Sequence, residues 1–130
     1  MSQEQNNVVG WFEIPVTDMP RAIKFYNAVF GYALESQQFG DEEMAWFPWV
    51  ENGPGASGSL VKNEQLYKPS PQGPVVYFSS PSGDLANELH KVETAGGKVL
   101  QQKTLITEDI GYMCLLLDSE GNRVAIHSRK

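Results

Sequence analysis

A pattern that occurs twice constrains this chain more than any single motif in it. The first copy opens on Val8 to Val16, which alternates as a strand, with Trp11, Glu13 and Pro15 on one face and Phe12, Ile14 and Val16 on the other. A helix follows. Thr17 or Asp18 can cap it, Pro20 suits a first turn that needs no amide partner, and Ala22, Ile23, Tyr26, Val29 and Phe30 recur at helical spacing before Gly31 ends it. Tyr32 to Gln37, Met44 to Val50 and Ser57 to Lys62 then read as three strands, divided by the turn-rich QFGDEE and ENGPGA. The second copy has the same order. Val75 to Ser79 is a strand, and SPSGD caps a helix carrying Leu85, Leu89 and Val92 on one stripe and ending at Gly96 and Gly97. Lys98 to Thr104, Tyr112 to Leu117 and Arg123 to Ser128 supply three more strands. Trp11 to Gly31 spans 20 residues and Val75 to Gly96 spans 21, so spacing repeats along with order.

Two βαβββ units joined by NEQLYKPSPQGP, a segment with three prolines and no periodicity, predict an α+β fold by internal duplication. The expected organisation is one domain over residues 1–130, with module one at 8–62, a linker at 63–74 and module two at 75–128. A four-stranded sheet with one helix leaves its second face uncovered, so the two sheets are expected to curl together around a cleft. Such a cleft is where small-molecule sites form.

Composition narrows the partners. The net charge is −6 and the basic residues are spread from Arg21 to Lys130, which argues against nucleic acid. The opening MSQEQNNVV lacks the basic and apolar regions of a signal peptide, and no run of 18 apolar residues occurs, so the expectation is a cytoplasmic protein with no membrane partner. Cys114 lies inside YMCLLL and reads as a small buried hydrophobe. No phosphate loop or Ser/His/Asp constellation can be assembled from only two histidines so placed.

The order (βαβββ)₂, the opening FEIPVTDMPRAIKFYNAVFG, the central GPVVYF, the helix end VETAGGKV and the closing DSEGNRVAI resemble the vicinal oxygen chelate (VOC) superfamily of glyoxalase I, bleomycin-resistance proteins and extradiol dioxygenases. The resemblance runs from about Val8 to Ser128 and implies a paired βαβββ cleft, often completed across a homodimer. In catalytic members it implies metal ligands at one inward position per strand. Those positions fall here on Trp11, on Val75 or Val76, near Gly58 or Ser59, and on Ala125. Three of the four carry no side-chain donor and serine is a poor ligand, so the metal site reads as lost.

Aromatic residues remain at or beside the strands. Trp11, Trp46, Tyr77 and Tyr112, with Glu13, Ser59 and His127, are the candidate ligand-binding set. Alternation in MAWFPWV sends one of Trp46 and Phe47 to the cleft, and Trp46 is the choice made here. The first functional expectation is a protein without cofactor that stacks a planar or partly cationic organic molecule on these rings and orients it with Glu13. The alternative is a metal-dependent lyase, isomerase or dioxygenase of the glyoxalase type, holding Zn, Ni, Fe or Mn through displaced ligands such as Glu13, His127 and a partner subunit's group.

Overall fold

The computed structural model describes residues 7–130. The opening residues 1–6, part of the segment read above for a signal peptide, lie outside that range. The elements are β1 (Phe12–Pro15), α1 (Met19–Phe30), β2 (Ser36–Phe39), β3 (Glu42–Trp46), β4 (Gly58–Lys62), β5 (Val76–Ser79), α2 (Leu85–Leu89), β6 (Lys98–Thr107), β7 (Gly111–Leu117) and β8 (Arg123–Ser128). They form two four-stranded sheets, β1-β4-β3-β2 and β5-β8-β7-β6. Each is antiparallel except where its first strand lies parallel to its last, Phe12 beside Gly58 and Val76 beside Val124. Identical strand order in both sheets is what a duplicated unit produces.

Several expected boundaries move. The first strand is confined to Phe12–Pro15 rather than Val8 to Val16, so Trp11 sits just before it. The second strand begins at Ser36, and the third ends at Trp46, just ahead of Pro48, which has no amide to donate. The second helix is shorter than its leucine stripe suggests. After Leu89 the backbone passes into turns, with Lys91 and Val92 amides bonding three residues back to Glu88 and Leu89 at 3.0 and 3.2 Å. Val92 is nevertheless buried, and Gly96, with φ 106°, ends the coil.

Helix α1 forms as its signals indicate. The Asp18 side chain accepts from the Arg21 amide at 3.0 Å, and Gly31 at φ 75° closes the last turn through its amide to Asn27. Its buried face, Ala22, Phe25, Tyr26, Val29 and Phe30, joins one cluster with Ile14, Ala45, Phe47 and Leu60 of module one and Phe78, Leu116, Val124 and Ile126 of module two. One core therefore serves both modules. Phe78 lies at its centre, with ring centroids 4.9 Å from Phe30, 5.3 Å from Phe47 and 5.9 Å from Phe12.

The turn DSEGN between β7 and β8 ties the modules by polar contacts. Tyr26 donates to Asp118 Oδ2 at 2.7 Å, and Asn122 Nδ2 donates to the Pro15 carbonyl at 2.7 Å. Glu120 accepts from the Thr17 and Asp18 amides, both at 2.9 Å, and from Arg21 Nε at 2.6 Å, so a module-two carboxylate occupies the amino end of the module-one helix. Burial pushes the Glu120 pKa up, but hydrogen bonds from Arg21, Asp18 and Thr17 outweigh it and hold the value at about 2. Because this lies below the ordinary 4.5, the stabilisation is complete above that pH and is lost as pH falls toward 2. Glu120→Gln is expected to destabilise by about 2 kcal/mol at neutral pH and to flatten the acid limb of the stability curve. Urea titrations at several pH values check both; an unchanged acid limb would contradict this role.

Candidate functional site

Alternation assigns each strand residue to the helix side or to the open side of its sheet. On the first sheet the cross-strand row Glu13, Ser59, Trp46 faces away from the helix, as do Met44 and Val61, while Ile14, Leu60, Ala45 and Phe47 face it. The two sheets do not close into a barrel. The face of the first sheet turned away from the helix bears exposed rings: Trp11 at 40%, Phe39 at 42% and Trp46 at 49%. Isolated exposed apolar side chains are ordinary, whereas aromatic rings gathered on one sheet face make that face a candidate binding surface.

These rings touch. Trp11 and Trp46 meet edge to face, with centroids 6.0 Å apart and planes at 81°, forming an inside corner. Phe39 stacks on Trp46 at 5.3 Å with planes 1° apart and so fixes the orientation of that wall. Phe39 is a site residue that the sequence reading left inside a turn. The β2–β3 hairpin turns at Gly40 and Asp41, with Gly40 at φ 60°, which pairs Phe39 with Glu42 and puts its ring on the Trp46 face. The glycine in QFGDEE carried that signal.

Polar groups lie beside the corner. Glu13 neighbours Ser59 across β1 and β4, and Ser59 neighbours Trp46 across β4 and β3, each pair one strand spacing apart. Ser59 is fully buried, and its hydroxyl has no hydrogen-bond partner among the described residues. Gly58, its neighbour, is required by close approach: a Cβ there would meet the Phe12 carbonyl and ring. From the linker, Tyr67 lies near enough to the Glu13 carboxylate that its pKa is raised, chiefly by that carboxylate. Tyr67 is a second site residue that local sequence could not show. An unsatisfied buried hydroxyl is costly, so Ser59→Ala is expected to stabilise the protein by about 1 kcal/mol while weakening any ligand that bonds it. Chemical denaturation reads the gain, and a loss of stability would show that the hydroxyl is satisfied.

The remaining candidates separate. Tyr77 and His127 lie on the open face of the second sheet, with Tyr77 beside Ala125 and His127 beside Ser79. His127 Nε2 is within 2.7 Å of the Ile110 carbonyl. Tyr112 does not belong to this surface. It shares a face of β7 with Cys114 and Leu116, packs against the core, and carries Lys103 Nζ 4.5 Å above its ring. Burial pushes the Cys114 thiol up to about 11, which suits a core residue. Among the described residues no three His, Cys, Asp or Glu side chains converge as a metal site. No helix is long and apolar enough to cross a membrane.

Two duplicated βαβββ units sharing one core define an α+β fold of paired modules. The chain belongs to the Glyoxalase/Bleomycin resistance protein/Dioxygenase superfamily, whose family model matches residues 8–126. Solved structures agree in fold. Glyoxalase I from Zea mays aligns with a TM-score of 0.67 at 18% identity, over 92% of this chain and 45% of the maize chain, so this chain spans under half of that enzyme. A glyoxalase/bleomycin resistance protein from Albidiferax ferrireducens T118 aligns at 0.65 and 16% identity over 95% of this chain and 100% of its own. TnmS3, an antibiotic binding protein from Streptomyces sp. CB03234, aligns at 0.64 and 19% identity over 98% and 100%. No curated protein matches the sequence.

Proposed function

We propose that this protein binds a small planar organic molecule, neutral or cationic, on the open face of its first sheet, and that it does so without a metal ion. The observation that carries the reading is the right-angled Trp11–Trp46 corner backed by Phe39, with the unsatisfied Ser59 hydroxyl beside it. A ring stacked on one indole meets the edge of the other, and Glu13 and Ser59 supply the polar contacts that fix its orientation. The structural neighbour described as an antibiotic binding protein supports a binding role in this fold.

The metal-dependent alternative has less support. The positions that the family uses for ligands carry Trp11, Val75 or Val76, Gly58 or Ser59, and Ala125, and this donor set does not fit a divalent cation. Glu13 and His127 sit on different sheets, and two donors are too few. Metal analysis and calorimetric titration with Zn²⁺, Ni²⁺, Fe²⁺ and Mn²⁺ test this directly. No stoichiometric uptake is expected, and one tightly held ion per chain would overturn the reading.

The second sheet also leaves apolar side chains outside, among them Leu100, Leu105, Ile106 and Ile110 along the edge strand β6 and the turn that follows it. We expect a second copy to cover part of these faces, giving a homodimer in solution. Sedimentation showing only monomer at micromolar concentration would contradict it.

A further inference from the structure

A groove of about 260 Å³ lies at the seam between the modules, walled by Glu13 of β1, by Lys68 of the linker and by Arg123 of β8. Two cations and one carboxylate thus line the same small space. No pair of opposite sign among them closes to within 4.0 Å, because the ion pairs among the described residues are Arg21–Glu120 and Lys103–Asp84. Charges of both signs held apart around an opening complement a molecule that carries both signs.

Arg123 shows where the negative end belongs. Its Nη2 donates to the Gly73 carbonyl at 2.9 Å, which pins the guanidinium to the linker; Nε is buried with no acceptor among the described residues, which leaves the Nη groups to meet a ligand. A planar guanidinium with free donors is matched by a carboxylate, which takes two parallel N–H bonds. At the other wall the Glu13 carboxylate can only accept, and an ammonium group supplies up to three donors. With each water taking about 30 Å³ in the liquid, the groove holds the equivalent of roughly eight waters, enough for an aliphatic amino acid and too little for a large ring system.

We propose that the seam groove binds a small amino carboxylate zwitterion, its carboxylate on Arg123 and Lys68 and its ammonium on Glu13. Such a ligand bridges the first strand of module one, the linker and the last strand of module two. Its binding therefore stiffens the junction on which the aromatic face stands. The site shares Glu13 with the Trp11–Trp46 corner but does not depend on a ring binding there.

Thermal shift with ringless probes tests it: glycine, β-alanine, 4-aminobutyrate and 6-aminohexanoate, against acetate and methylammonium given separately and together. One chain length should raise the melting temperature by about 5 °C at saturating concentration, and the single-charge fragments by less than about 1 °C. Arg123→Gln and Lys68→Gln should each reduce the shift by more than half; Lys68 is exposed, so its variant also serves if Arg123→Gln folds poorly. A shift from acetate alone equal to that of the best amino carboxylate would overturn the proposal in favour of a plain anion site. No shift from any chain length, or shifts unaffected by both substitutions, would also overturn it. Because none of the probes has a ring, each of these failures leaves the aromatic-face reading standing.

Discussion

Tyr26→Ala is expected to cost about 5 kcal/mol of folding stability. The ring is fully buried and touches Phe25, Phe30, Phe47 and Phe78, so it joins aromatic side chains of both modules. Truncating a large buried aromatic costs about 3 to 5 kcal/mol through lost transfer free energy and the cavity left behind. The phenol adds to this, since it donates to Asp118 Oδ2 at 2.7 Å in a place where burial already raises the Asp118 pKa. Losing that donor leaves a buried carboxylate short of a partner, a penalty of about 1 to 3 kcal/mol that Tyr26→Phe isolates. The two terms overlap because the alanine variant also opens a path for water to Asp118. Urea denaturation of both variants checks the sizes and their order. A loss below about 2 kcal/mol for alanine would mean that the modules do not share one core.

Trp11→Ala is expected to behave in the opposite way, weakening ligand binding at least tenfold while lowering stability by about 1 kcal/mol or less. The ring lies outside β1, is 40% exposed, and makes its one aromatic contact edge to face with Trp46. Such a pair contributes about 0.5 to 1.5 kcal/mol beyond burial, and part of that returns when Trp46 relaxes onto Phe39. A buried tryptophan would instead cost about 3 to 5 kcal/mol. Comparing the denaturation midpoint with the affinity of the same variant distinguishes the two. A stability loss of core size would remove Trp11 from the binding surface. Trp11→His should not create a metal site, because Val75, Gly58 and Ala125 remain without donors.

What the sequence disclosed and what it hid follow from the range of the interactions. Helix α1 was legible because its cap, its proline and its terminal glycine are local, and alternation showed that Trp46 and Phe47 take opposite faces, of which Phe47 takes the buried one. The face that Tyr112 takes was not legible because YMCLLL is apolar throughout, so nothing marks which parity faces the helices until Cys114 and Leu116 are seen in the core. Phe39 was missed because a strand end and a turn look alike across QFG. Glu120 and Tyr67 act on partners that no pattern links to them; Glu120 caps a helix 103 positions earlier, and Tyr67 reaches Glu13 from the linker. The openness of the sheets is also tertiary. Periodicity shows that each sheet has a free face, but the shared core around Phe78 decides how the two modules meet.

The central claim, metal-free binding of a planar molecule at the tryptophan corner, is tested most directly by titrating the protein with proflavine in the presence of EDTA and following tryptophan fluorescence. The expected result is saturable quenching that EDTA and added Zn²⁺ leave unchanged and that Trp46→Ala and Trp11→Ala each weaken at least tenfold. Quenching that disappears with EDTA and returns with a divalent cation, or an affinity indifferent to both tryptophans, would contradict it.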